Sequence, residues 1–157
     1  MHIEIERKFL VTSNSFKQES FKKHKIKQGF LNSNKHRTVR VRIADDKGFL
    51  TVKGKSNTAG ISRFEWEKEI LLQEAKQLML LCENSIIEKT RYFIEKGKHT
   101  FEVDVFLADN KGLIVAEVEL TSVSEIFQKP NWLGKEVTGK VEYYNACLSK
   151  NPFKNWI

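Results

Sequence analysis

Residues 1–10 read MHIEIERKFL, and the alternation inside this stretch decides the fold. In an extended strand successive side chains leave on opposite faces. Glu4, Glu6 and Lys8 therefore share one face, and Ile3, Ile5 and Phe9 the other. Alone, such a segment reads as an edge strand with one wet side. The reading changes because the two-residue period recurs, at IKQGFLN (26–32), TVRVRIA (38–44), GFLTVKGK (48–55), SRFEWEKEI (62–70), EKTRYFIEK (88–96), HTFEVDVF (99–106) and LIVAEVEL (113–120). Short polar stretches such as ADDKG, EKGKH and ADNKG lie between them and read as turns. These features predict an α+β chain dominated by an eight-stranded antiparallel β-barrel with a few flanking helices.

The helical signals are fewer. LLQEAKQLMLLCEN (71–84) places Leu71, Ala75, Leu78, Met79 and Cys82 on one helical face. A short helix is expected after Ser13 or Ser15, and another through VEYYNACLSK, ending before Pro152.

With 157 residues, two late prolines and no Gly/Ser linker, a single domain spanning 1–157 is expected. No apolar run is long enough to span a membrane, and the charged opening does not resemble a secretory signal. Cys82 and Cys147 are isolated and suit a reducing cytoplasm. The net charge of +7 favours anionic partners without naming one.

The charged faces are more informative. Doublets at spacing two recur: Glu4 and Glu6 with Lys8, Arg40 and Arg42, Glu65 and Glu67, Lys89 and Arg91, Glu102 and Asp104, Glu117 and Glu119, with Lys53 as a single. Residues two apart on a strand lie roughly 7 Å from each other, so each doublet sets like charges side by side. A surface shaped only for solubility mixes signs. Arginine forks and lysine point charges suit phosphate oxygens, so Lys8, Arg40, Arg42, Lys53, Lys89 and Arg91 read as a polyanion cradle. Paired carboxylates suit hard divalent cations that also bind phosphate. A water-filled barrel interior accommodates both, because buried charges must be paired or liganded. The opposite faces, with Val39, Val41, Phe64, Trp66, Val103, Val105, Val118 and Leu120, then point outward and need cover from the helices or from the second subunit of a homodimer.

At these residues the chain resembles the CYTH family, also called triphosphate tunnel metalloenzymes. EIERK (4–8) looks like the family's ExExK signature, and QGFL, VRVR, TVK, SRFEWE, EKTRY, FEVDVF, VEL and the late WLGKEVTGKVEYYNACL follow in the family's order. The resemblance implies an eight-stranded tunnel, open or partly open at its ends, whose basic residues hold a triphosphate and whose acidic residues hold Mg²⁺ or Mn²⁺. It is strongest to short inorganic triphosphatases, and implies metal-dependent hydrolysis of tripolyphosphate to pyrophosphate and phosphate. Glu4, Glu6, Glu65, Glu67, Glu102, Asp104, Glu117 and Glu119 are then the expected metal ligands. Lys8 or Lys89, crowded by other cations, is the expected proton donor or acceptor. One departure stands out: QGF replaces the frequent QGY, so Phe30 lacks a hydroxyl.

Competing readings are an organic-triphosphate enzyme of the same fold (nucleoside or thiamine triphosphatase, adenylate cyclase), a non-catalytic polyphosphate-binding module, and a nucleic-acid-binding barrel. Nucleic acid is disfavoured because the basic residues alternate with aliphatics rather than aromatics. GKS at 54–56 lacks P-loop spacing, and His2, His24, His36 and His99 lack metal-ligand spacing.

Overall fold

A computed structural model describes residues 2–156. The chain runs β1 (His2–Val11), α1 (Phe16–Glu19), β2 (Lys22–Asn32), β3 (Arg37–Ala44), β4 (Lys47–Gly54), β5 (Ser62–Ile70), α2 (Leu72–Met79), β6 (Glu83–Lys96), β7 (His99–Phe106), β8 (Ile114–Glu119), β9 (Leu133–Glu136) and α3 (Asn145–Lys150). β1 pairs with β8 on one side and β5 on the other, closing an eight-stranded antiparallel barrel in the order β1-β5-β4-β3-β2-β6-β7-β8. β9 is an addition to the expected eight; it pairs with the end of β1 and is too short to show a two-residue period. Gly48, part of the rejected GKS reading's upstream context, lies in β4 as regular strand.

Register carries the charged doublets inside. Directly opposed residues share a face, and Glu4 opposes Arg63, Lys53 opposes Glu65, Lys8 opposes Glu117, Glu6 opposes Glu119 and Arg91 opposes Asp104. The outward apolar face is covered by two different devices. α2 packs on β3 and β4, where Ala75 sits directly over Gly48; a Cβ at Gly48 would come within 2.6 Å of the Ala75 Cβ, so only glycine lets the helix this close. Across β1, β6, β7 and β8 the cover is Phe16 of α1 with Phe127, Trp132 and Leu133, which join Phe9, Ile94, Phe101, Val103, Ala116, Val118 and Leu120 in the main apolar cluster. Phe127 and Trp132 of this cover come from the irregular 121–132 segment and Leu133 from β9, so helix α1 supplies only part of it, through Phe16. Ile3 and Trp66, outside β1 and β5, remain 45% exposed.

The expected helix through 141–150 is split. Val141–Tyr143 form a 3-10 turn and Tyr144 is extended (φ −69°, ψ 136°), leaving α3 with six residues. That break turns the Tyr144 ring toward Lys8 and Arg63, whose cationic groups lie 5.8 and 5.6 Å from its centre. α3 then lies across one end of the barrel, where Leu148 packs with the inward-facing Ile87, Phe106 and Val115. The tunnel is thus plugged by apolar packing at this end. No helix among the described residues is long and apolar enough to cross a membrane.

Candidate active site

The barrel encloses a cavity of about 230 Å³. Its basic lining is Lys8 from β1, Lys35 from the β2–β3 connection, Arg40 and Arg42 from β3, Lys53 from β4, Arg63 from β5 and Arg91 from β6. Its acidic lining is Glu4 and Glu6 from β1, Glu65 and Glu67 from β5, Glu102 from β7, and Glu117 and Glu119 from β8. Seven strands therefore contribute charge, because the barrel's closure brings distant doublets onto one surface.

Three ion pairs organise the carboxylates. Lys53 Nζ donates to both oxygens of Glu4 at 2.9 and 3.2 Å. Lys8 Nζ donates to Glu117 Oε1 at 2.7 Å and lies 3.4 Å from Glu6. Arg91 forks onto Asp104 at 2.7 and 2.9 Å and reaches Glu102 at 3.2 Å. Burial opposes charge on Glu4, yet Lys53 outweighs it and holds the carboxyl at about 2. For Lys8, burial is likewise outweighed, by Glu117 and Glu6, so its ammonium is held above the usual lysine range.

The inward arginines of β3 are less well matched: Arg40 Nη2 lies 3.8 Å from Glu67, and Arg42 pairs with the neutral Gln28. Arg40 Nε is buried with no hydrogen-bond partner, while its Nη2 donates to Thr51 Oγ1 at 3.1 Å. Burial, then Arg40, then Arg91 push the Arg42 guanidinium down to about 9, a sign of positive charge awaiting an anion.

Two expected site residues lie beneath the cavity wall. Lys89 is only 1% exposed and is held by Asp104 at 2.8 Å and Asn145 Oδ1 at 3.0 Å. Burial, reinforced by Arg91 and Arg42, pulls its pKa down to about 7 despite Asp104, but the ammonium does not line the cavity. Asp104 is buried with it, its oxygens engaged by Arg91 and Lys89, so it is an internal counter-ion where a metal ligand had been expected. Of the two lysines expected to move a proton, Lys8 is held charged, while Lys89 has the lowered pKa but does not line the cavity.

Further lining positions lie outside the expected set, although the spacing of Arg63 to Glu65 already places it on the same face. Arg63 lines the cavity opposite Glu4, and Tyr144 and Asn145 close its floor. The signal for Arg63 was its place two residues before Glu65. Tyr144 and Asn145 carried none, since they belong to a terminal helix whose docking is nonlocal. Phe30 is buried on the cavity wall opposite Arg40. Trp66 points outward and Trp132 is core. Among the histidines, His24 pairs with Asp45 and His99 with Glu125, away from the cavity, while the mostly exposed His2 sits 3.8 Å from Glu65 and Glu119.

The donor set fits a hard divalent cation. Burial, then Glu117, raise the Glu6 carboxyl to about 7. Burial, then Glu4, likewise raise Glu65 and Glu119. These carboxylates thus crowd one another, and oxygen-only donors suit such ions. Among the described residues no three acidic, histidine or cysteine side chains already converge as a closed metal cluster. An ion here draws its remaining ligands from water and phosphate, as Mg²⁺ commonly does.

A pH dependence follows for the metal-free protein. Glu6, protonated more readily folded than unfolded, contributes stability below pH ~4.5 that is lost as pH rises through about 7, on the order of a few kcal/mol. Glu4 works in the opposite sense: its contribution is present above pH ~4.5 and disappears as pH falls toward 2. Denaturant unfolding with chelator should show declining stability from pH 5 to 7, recovered by Mg²⁺ at pH 7, whereas above pH 7 Lys89, which loses its proton more readily folded than unfolded, works in the opposite sense. A profile that is flat, or rises, from pH 5 to 7 would contradict the crowding of Glu6.

The sequence profile described as the CYTH domain matches residues 2–146. A protein of Acetivibrio thermocellus named inorganic triphosphatase is 47% identical over 154 residues, covering 98% of this chain and 97% of its own. A second inorganic triphosphatase, of Nitrosomonas europaea, is 34% identical over 153 residues, covering 93% and 96%. A crystal structure of an inorganic triphosphatase superposes with a TM-score of 0.64 at 31% identity, over 93% of this chain and 97% of that one. With the ExExK strand, the closed barrel and the paired charges of its interior in place, the chain belongs to the CYTH domain family.

Proposed function

We propose that this protein is a hydrolase of inorganic triphosphate, releasing pyrophosphate and orthophosphate, with residues 1–157 acting as one unit in the reducing cytoplasm. Family membership carries dependence on a divalent cation, and Mg²⁺ or Mn²⁺ is the ion proposed. The observation that carries the reading is the Arg40–Arg42 pair, with the buried, unpartnered Arg40 Nε, facing seven carboxylates across one small cavity. The relatives named inorganic triphosphatase support it.

Hydrolysis forms one bond from a water oxygen to the terminal phosphorus and breaks the bridging P–O bond, with pyrophosphate as leaving group and the water's proton released. Such a reaction asks a protein chiefly for positioning and charge stabilisation. Arg40, Arg42 and Arg91 supply planar donors for phosphate oxygens, and Lys8, Lys53 and Arg63 supply point charge around them. Glu4, Glu6, Glu65, Glu67, Glu102, Glu117 and Glu119 are the carboxylates available to a cation. When bound, that cation neutralises phosphate charge and makes its water more acidic. Lys8, held charged, stabilises the leaving pyrophosphate electrostatically and moves no proton.

Size argues against organic triphosphates. A cavity of about 230 Å³ lies below the roughly 300–1,000 Å³ of pockets that enclose drug-sized ligands, and Tyr144 walls its floor. Phosphate release should be measured in parallel from tripolyphosphate, ATP and thiamine triphosphate, each with Mg²⁺, Mn²⁺ or chelator. Metal-dependent release chiefly from tripolyphosphate is expected. Preferential turnover of an organic triphosphate would change the substrate, and silence on all three would leave a binding module.

A further inference from the structure

Asn145 begins α3 and is remote in sequence from every charged strand, yet it joins two of them. Its Oδ1 accepts a hydrogen bond from Gln28 Nε2 at 2.9 Å and another from Lys89 Nζ at 3.0 Å. Gln28 is fully buried, and its Oε1 accepts from Arg42 Nε at 2.9 Å. Lys89 pairs with Asp104, which holds Arg91 through both carboxylate oxygens. One amide oxygen thus anchors two chains of hydrogen bonds, each ending on a cavity guanidinium. Arg42 in particular has Gln28 as its recorded side-chain partner, so its orientation depends on how Gln28 is held.

We infer that Asn145 is a positioning residue, through which docking of α3 sets the orientation of Arg42 and Arg91 toward the substrate phosphates. The inference rests on the triphosphatase reading and goes beyond it, since it makes the terminal helix part of the anion site as well as its plug. Both partners of Asn145 Oδ1 are donors, so an acceptor is what the position requires. Leucine matches asparagine in size but removes it, leaving Gln28 Nε2 and Lys89 Nζ each one acceptor short in a buried site. Networks of this kind lose more than single bonds suggest.

The test uses the full chain and tripolyphosphate with saturating Mg²⁺. Asn145→Leu should raise KM for tripolyphosphate at least tenfold, with a smaller change in kcat. Asn145→Asp, which restores the acceptor, should recover a large part of that loss. Ser85→Ala removes a different tether of α3, the 2.7 Å bond from Ser85 Oγ to the Ser149 carbonyl. It should lower thermal stability while leaving KM within about twofold of wild type. The inference is overturned if Asn145→Leu keeps wild-type KM, if Asn145→Asp recovers nothing, or if Ser85→Ala raises KM as much as Asn145→Leu. Wild-type protein that neither binds nor hydrolyses tripolyphosphate would overturn the triphosphatase reading itself, and the inference with it.

Discussion

Glu4→Gln is expected to lower kcat for tripolyphosphate by about three orders of magnitude while leaving the barrel folded. Glutamine keeps the shape and one acceptor for Lys53 Nζ, and Lys53 retains Glu65 at 3.4 Å, so no buried ammonium is stranded. What disappears is a carboxylate held ionised down to about pH 2, the form a divalent cation needs. Glutamine offers only a neutral carbonyl, a much weaker ligand for a hard ion. Turnover should be measured across a Mg²⁺ titration, with circular dichroism and thermal unfolding alongside. Turnover within tenfold of wild type, with an unchanged Mg²⁺ requirement, would remove Glu4 from the cation-holding set.

The barrel was legible because strand register preserves sequence parity. Once Glu4, Glu6 and Lys8 share a face, antiparallel pairing carries that choice around the ring, from Glu117 opposite Lys8 to Lys53 opposite Glu65. Alternation therefore revealed which side chains face inward without revealing which neighbours they meet. That second question turns on the stagger of the closed barrel. Lys89 and Arg91 look equivalent in EKTRY, yet stagger sets Lys89 against Ile26 and Phe106, below the cavity, and Arg91 against Asp104 at its wall. The same depth difference withdraws Asp104 from the cavity and leaves Glu102 lining it.

Net charge was a poor guide to the site. Inside the barrel and at its rim eight basic side chains (Lys8, Lys35, Arg40, Arg42, Lys53, Arg63, Lys89 and Arg91) meet eight acidic ones, Asp104 joining the seven cavity glutamates. The excess of +7 therefore lies on the outer surface, where it steers anions toward the protein without holding them. The crowding argument for a depressed lysine fits Lys89, which lies near Arg91 and Arg42, but not Lys8, because it left out Glu117, which register places directly opposite. Local patterns also could not show that 141–150 would break at Tyr144, because the contacts its ring makes there, with Lys8 and Arg63, are remote in sequence.

Arg91→Ala is expected to cost both activity and stability, and a second substitution separates the two. The Arg91–Asp104 pair is buried, so removing only the guanidinium leaves Asp104 with Lys89 as its remaining cation. Breaking a buried pair from one side typically costs about 3–5 kcal/mol. At roughly 2–4 °C per kcal/mol for a chain of this size, Tm should fall by about 10 °C. Adding Asp104→Ala removes the stranded carboxylate, though it also releases Lys89, so the double variant should recover part of the lost Tm. It should recover none of the lost triphosphatase activity, because the guanidinium facing the cavity is still missing. Activity returning together with Tm would mean that Arg91 serves only the fold. A Tm unchanged by Arg91→Ala would mean that the Arg91–Asp104 fork contributes little to the barrel. The expected split, partial thermal rescue with catalysis still lost, is what one side chain produces when one edge of its guanidinium braces the wall and the other meets phosphate.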